Sequence, residues 1–369
     1  MKFSTLLKKN IKDPEDLKKY FCIPDKNIRY IRGITHLHPM EISQYYMSII
    51  DDLDESDPLK KMVVPAMEER NIAGSYDTSG ELKSTKLQGV QHKYPQTVLI
   101  LATNKCATYC RYCFRKRLIG LSNEETLDRL DDAVKYIAAH REVDNVLISG
   151  GDPVILPTSM IARYLKKFSS IDHVKFIRFG TKIPVVLPQR IIYDEKLLSL
   201  LREYSSSTKR IYFITQYNHP KEITNTSVAA IDKLINAGVI LKNQTVLLKG
   251  VNDDPFIMTD LQNRLTAIGI SPYYVFQYRP VKRAKKKFQV PLLTGCNIIE
   301  HSKCLMSGPS KKFKYVMSHK SGKIEIIGKQ DNSIILKYHQ ARNKKQIGNI
   351  FRKKLNPHAC WLEDLEQIE

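Results

Sequence analysis

From Thr97 onward, short β-branched runs alternate with segments of helical periodicity, and no other feature restricts the possible folds so tightly. The runs are TVLILAT at Thr97, NVLISG at Asn145, VKFIRFG at Val174, RIYFIT at Arg210, NQTVLLKG at Asn243 and YYVFQY at Tyr273. Between them, residues 125–140, 159–168, 195–204, 227–237 and 256–268 carry apolar side chains at helical spacing, the first behind a capping box of Ser122 and Glu125. Strands joined by helices must lie parallel, and right-handed crossovers curl six such units toward an open (βα)6 partial TIM barrel of the α/β class. Chemistry in such a fold sits at the C-terminal ends of the strands.

The pattern also divides the chain. Residues 1–95 read as an N-terminal helical region, including an amphipathic stretch over 39–53, and residues 96–280 form the (βα)6 core. Residues 281–369 read as a C-terminal β extension and tail, with KYVMS, KIEIIG and SIILKYH as a small antiparallel element.

Composition narrows the setting. No run of about 18 apolar residues is present, and MKFSTLLKKN turns charged too early for a secretory signal, so a cytoplasmic protein with no membrane partner is expected. Seven cysteines, an odd number with three clustered, fit a reducing compartment and a metal site better than disulfides; Cys22, Cys296, Cys304 and Cys360 read as ordinary thiols. The formal charge of +21 admits a nucleic-acid substrate, anionic small molecules or a solvated basic face. The basic residues are scattered and lack interleaved aromatics, so nucleic acid is not the favoured partner.

Where the first strand ends, the chain reads TNKCATYCRYCFRKRLIG. Cys106, Cys110 and Cys113 can cap three irons of a cubane and leave the fourth open, whereas a zinc site needs a fourth ligand and has no second CxxC pair here. A CxxxCxxC after the first strand of a βα barrel resembles the radical S-adenosylmethionine (SAM) superfamily. RYCFRKRLIG, NVLISGGDPVIL, GTKIPVVLPQRI, YNHPKEIT, NQTVLLKGVND and PYYVFQY resemble, in the same order, segments of the lysine 2,3-aminomutase family.

The resemblance implies a [4Fe-4S] cluster whose open iron is chelated by SAM, cleaved after one-electron reduction to a 5′-deoxyadenosyl radical, with a reductant such as flavodoxin or ferredoxin. Ser149, Gly150, Gly151 and Asp152 match the glycine motif that contacts the methionine amino group, although GGDP also reads as a turn before a helix. It further implies pyridoxal 5′-phosphate (PLP), with Lys323 of SGKI on the Schiff-base lysine; the bland alternative is a solvent-facing hairpin lysine. Two phosphate-binding arginines of the family become Lys93 and Thr97 in HKYPQT, and Gln216 stands where lysine aminomutases have histidine. Arg115 matches an arginine that clamps the substrate carboxylate, with a salt bridge near the cluster as the alternative.

Substrate identity departs from the family type. The two aspartates that hold the remote ammonium of lysine are replaced, one by Arg279, the other near Val316, so free lysine is disfavoured against an acidic or neutral amino acid. The family's C-terminal zinc cysteines reduce to His358 and Cys360, so the oligomeric state is left open. The leading expectation is a PLP-dependent radical SAM 2,3-aminomutase acting on an amino acid other than free lysine. The alternative is a PLP-independent radical SAM enzyme that modifies a protein or nucleic acid, and a cluster-bearing regulatory protein without turnover comes third.

Overall fold

A computed structural model describes residues 3–51, 56–122 and 124–367. Its strands form one sheet in chain order: β1 Thr85–Leu87, β2 Val90–Tyr94, β3 Thr97–Thr103, β4 Asn145–Gly150, β5 Phe176–Gly180, β6 Arg210–Thr215, β7 Ile240–Leu247, β8 Ser271–Gln277, β9 Lys314–His319, β10 Gly322–Gln330, β11 Ser333–Ala341 and β12 Ile350–Lys354. From β3 to β9 every neighbour is parallel, while β1–β2–β3 and β9 to β12 pair antiparallel. Strands adjacent in sequence are adjacent in space, the order that right-handed crossovers impose on a curling sheet.

The six runs read from the sequence are β3 to β8. Their alternation has a direct structural cause. Val98, Ile100, Val146, Ile148, Ile177 and Phe179 are fully buried, whereas the intervening Leu99, Asn145, Leu147, Ser149, Arg178 and Gly180 line an internal cavity. A period of two therefore separates a packed apolar layer from a partly polar inner wall. The connecting helices Thr158–Ser169, Glu195–Tyr204, Asn225–Asn236 and Pro255–Ala267 lie where their periodicity put them.

The sheet keeps two edges, so the barrel is open, and side chains tie its margins together. Lys93 on β2 donates to the carbonyl of His319 at the end of β9 (2.7 Å), and Arg342, just past β11, donates to Ser84 Oγ (2.9 Å).

Three readings need correction. The helix expected from residue 125 begins at Leu130 (Leu130–Ala139), because the Glu125 carboxylate pairs with Arg117 (2.6 Å) and the Leu127 amide donates to Leu101 (2.7 Å). The N-terminal region is not wholly helical, since it supplies β1 and β2; of the stretch 39–53 only Gln44–Met47 is α-helical, and residues 52–53 lie outside the described residues. The C-terminal element is not separately antiparallel. Helix Leu292–Leu305 returns the chain to the same end of the sheet, so β9 joins β8 in parallel and antiparallel pairing begins only at the turn into β10. No helix among the described residues is long and apolar enough to cross a membrane.

Candidate active site

A cavity of about 430 Å³ runs up the barrel interior from Thr97 and Asn145 to the loops beyond the strand ends. Cys106, Cys110 and Cys113 line it, as do Ser149, Gly150, Gly151 and Asp152. So do Lys93, Arg115, Gln216, Arg279 and Lys323, so the structure brings together in one space every site residue read from the sequence.

The three cysteines stand on an irregular loop after β3 and form no disulfide. Backbone bonds from Tyr109 to Glu41 (2.7 Å) and from Arg111 to Met62 (2.8 Å) pin this loop to the N-terminal region. Burial pushes the Cys113 thiol up to about 11 and Cys106 higher, and each is raised further by the neighbouring cysteines. Crowded thiols in a dry wall are a donor set that cationic iron would relieve. Among the described residues no three His, Cys, Asp or Glu side chains converge on one point as a mononuclear ion requires. A cubane instead takes each thiolate on a different iron, and the residues present fit it.

The glycine motif has a packing reason as well as a ligand-facing one. Gly150 has φ +108°, and a Cβ there would run into the Thr103 carbonyl; one on Gly151 would run into Lys105. The amides of Gly151 and Asp152 donate to Thr103 (2.6 Å) and Lys105 (2.8 Å), so the end of β4 is laced to the start of the cysteine loop. The Asp152 carboxylate, expected to receive an ammonium, already accepts from Thr181 Oγ1 (2.7 Å), the Lys182 amide (2.6 Å) and the Val154 amide (3.0 Å). Burial raises it to about 6. Its oxygens hold the loop after β5, a role that GGDP alone did not disclose.

Arg115 is held by a residue the sequence reading missed. Its Nε and Nη2 reach Glu81 at 3.0 and 2.9 Å, and its Nη1 reaches Ser149 Oγ (3.2 Å) and the Gly150 carbonyl (3.3 Å). The salt-bridge alternative for Arg115 is therefore what the side chains form. Burial would raise the Glu81 carboxyl, but Arg115, Arg117 and Arg279 hold it below its ordinary value. Gln216 accepts from Tyr112 (3.3 Å), whose hydroxyl also receives Asn218 (2.7 Å) and Lys182 (3.0 Å).

At the other end of the cavity, Lys323 pairs across β10 with Ser318 and Gln340, and all three face inward. Lys323 is thus no solvent-facing hairpin lysine. Its Nζ lies 4.1 Å from the centre of the Tyr274 ring, and burial, with Arg178, Arg279 and Lys93 nearby, lowers it to about 7. Lys93 spends its ammonium on the carbonyls of Ser79 (3.0 Å) and His319. Arg178, which the sequence reading also missed, stands on β5 with its Nε on Asn145 (2.8 Å), and Asn145 in turn donates to Thr97 (3.1 Å). One charged residue in the otherwise apolar FIRFG was the available signal. Arg279 stacks 4.3 Å from the centre of the Phe114 ring with its Nη1 buried and without a partner; Tyr94 Oη and Gln91 Nε2 on the same wall are equally unpaired.

A family model described as the radical SAM superfamily matches residues 100–260. A protein of Aquifex aeolicus, provisionally named an L-lysine 2,3-aminomutase, is 38% identical over 98% of this chain and 96% of its own length. L-lysine 2,3-aminomutase of Clostridium subterminale is 36% identical over 80% of this chain and 70% of its own. Glutamate 2,3-aminomutase of Clostridioides difficile is 34% identical over 86% of this chain and 74% of its own. A [4Fe-4S] cluster and SAM come with this superfamily, and the three-cysteine loop and the glycine motif line one cavity. With a barrel, a cysteine loop and relatives that agree along most of its length, the chain belongs to the lysine 2,3-aminomutase-like family of radical SAM enzymes, an isomerase family.

Proposed function

We propose that the chain is a PLP-dependent amino acid 2,3-aminomutase whose substrate has an acidic or neutral side chain and is not free lysine. The observation that carries the reading is the setting of Lys323: an amine over the Tyr274 ring, in a wall whose nearby charged members Arg178, Arg279 and Lys93 are all cationic. A lysine lowered to about 7 is substantially free amine at neutral pH, the form that attacks an aldehyde. PLP, when bound, supplies that aldehyde and a ring that delocalises an unpaired electron.

The residues present fit that group. Lys323 would hold the aldehyde carbon, and Arg178, oriented through Asn145 and Thr97, offers its Nη groups to phosphate. Tyr94 and Gln91 contribute unpaired buried donors on the same wall. Cys106, Cys110 and Cys113 would hold the cluster, and SAM bound beside it would supply radical chemistry given an electron from a donor of the flavodoxin or ferredoxin class. Arg115, rigid in the grip of Glu81, would orient the substrate carboxylate.

Arg279 decides the side chain. A guanidinium with an unpaired Nη1 repels the remote ammonium of lysine and receives a carboxylate, which agrees with a glutamate 2,3-aminomutase among the relatives. The test uses anaerobically purified protein with its cluster reconstituted, incubated with PLP and reduced with borohydride. Pyridoxyl label on Lys323 alone, followed by 2,3-migration on an acidic or neutral amino acid, is the expected result. Absence of label on Lys323 with a full cluster overturns the reading and leaves a PLP-independent enzyme acting on a protein or nucleic acid.

A further inference from the structure

On the far side of the cysteine loop lies a second group of charges that substrate chemistry does not use. Glu69 is fully buried; its carboxylate receives Arg111 through Nε (2.9 Å) and Nη2 (2.7 Å) and Lys116 through Nζ (2.7 Å). Lys287 is 6% exposed, and its ammonium has the Val64 carbonyl at 3.4 Å as a weak partner and the Phe288 ring centre at 5.1 Å. Arg283 meets the Glu69 backbone carbonyl rather than the carboxylate (3.3 Å). One carboxylate therefore faces three buried cations, Arg111, Lys116 and Lys287, and the neighbouring Glu68 is exposed to solvent.

Uncompensated charge in a dry interior is costly, so such a group needs an anion close by. The strain is visible in the lysines, since burial first, then Arg111, pulls Lys116 down to about 8, and burial pulls Lys287 to the same value. The position of the group identifies the anion. Lys116 Nζ also donates to the carbonyl of Arg111 (3.0 Å), the residue directly after Cys110, so these two cations belong to the segment that presents the thiolates. Phe288, next to Lys287, packs edge-on against Tyr112 of the same loop, with ring centres 5.9 Å apart. Three thiolates give the cluster a net negative charge, which grows by one when it accepts an electron.

We infer that Arg111, Lys116 and Lys287, gathered on Glu69, form a cationic nest that stabilises the reduced cluster and so raises its reduction potential within reach of its electron donor. The step is a one-electron transfer from a low-potential protein donor to the cluster, with no bond made or broken and no proton moved. The inference rests on the cluster alone and stands whether or not PLP is used. These are positioning residues that act through charge.

The test is an EPR-monitored redox titration of the reconstituted holoprotein without SAM or amino acid. Lys287→Met, nearly isosteric and weakly bonded, is expected to make the reduced cluster about tenfold less favoured, a downward shift of about 59 mV for one electron. Lys287→Arg keeps the charge and is expected to keep the potential. An unshifted Lys287→Met with full iron content, or equal shifts in both variants, would overturn the inference, because packing and not charge would then be at work. Should Lys287→Met fail to load iron, Lys116→Met is titrated in the same way and read by the same criterion.

Discussion

The ammonium of Lys93 lies 2.7 Å from the carbonyl of His319, a residue 226 positions further along the chain, and this bond spans the open margin of the barrel. It joins β2 to the turn that leads into Lys323. Because Lys93 also donates to Ser79 (3.0 Å), one side chain holds the N-terminal segment and the end of β9 together.

Lys93→Met should therefore loosen the seam selectively. Leaving two carbonyls without their charged donor is expected to cost about 1–3 kcal/mol of stability. Hydrogen exchange should quicken around residues 319–323 more than in β4 and β5. Denaturant unfolding together with exchange mass spectrometry checks both parts, and unchanged protection of the turn would contradict the seam.

Lys323 should react as a near-neutral amine. Its folded-state pKa of about 7 lies below the ordinary 10.5, so the free amine appears as pH rises through about 7. Imine formation between the apo-protein and a small uncharged aldehyde, trapped with cyanoborohydride and mapped by peptide, should show a midpoint there for Lys323 and none for exposed lysines. The folded state disfavours the proton, so this penalty is present below about 7 and fades as pH rises toward 10.5.

Arg279→Asp should invert selectivity. Losing one charge-assisted contact corresponds to roughly 10- to 100-fold in kcat/KM on an acidic substrate, and the new carboxylate should admit lysine. Steady-state kinetics on paired acidic and basic amino acids provide the check; parallel losses on both would show that Arg279 acts through folding.

Glu81→Gln removes the partner of Arg115 and Arg117, which lie 2.9 and 3.2 Å from its carboxylate. Breaking a buried pair of this kind is expected to cost about 3–5 kcal/mol. Because the Glu81 carboxyl is held below its ordinary value, its contribution is present above that value and is lost as pH falls, so acid should destabilise the wild type more steeply than the variant. Melting temperatures measured across the acid range test the slope.

The barrel was legible because its chemistry is local. β-branched alternation places Val146 and Ile148 against helices and leaves Ser149 facing inward, and the cysteine spacing lies within eight residues. Lys323 became readable only through resemblance, since its depressed amine depends on burial first and then on Arg178, Arg279 and Lys93 from three distant segments. Glu81 and Arg178 were hidden for the same reason. Glu81 lies in an irregular N-terminal turn and meets Arg115 across 34 residues, and Arg178 gains meaning only once the register of β5 points it inward. The direction of β9 was misread because KYVMS is too short to reveal the helical return that precedes it.

The seam also acts as a clock during synthesis. β3 to β8 can pair as they emerge, but the ties at His319 and Arg342 cannot form until those residues have been made. At ordinary translation speeds, Arg342 follows Cys113 by on the order of tens of seconds. Throughout that interval the thiols have been made while the two ties across the barrel margin have yet to form.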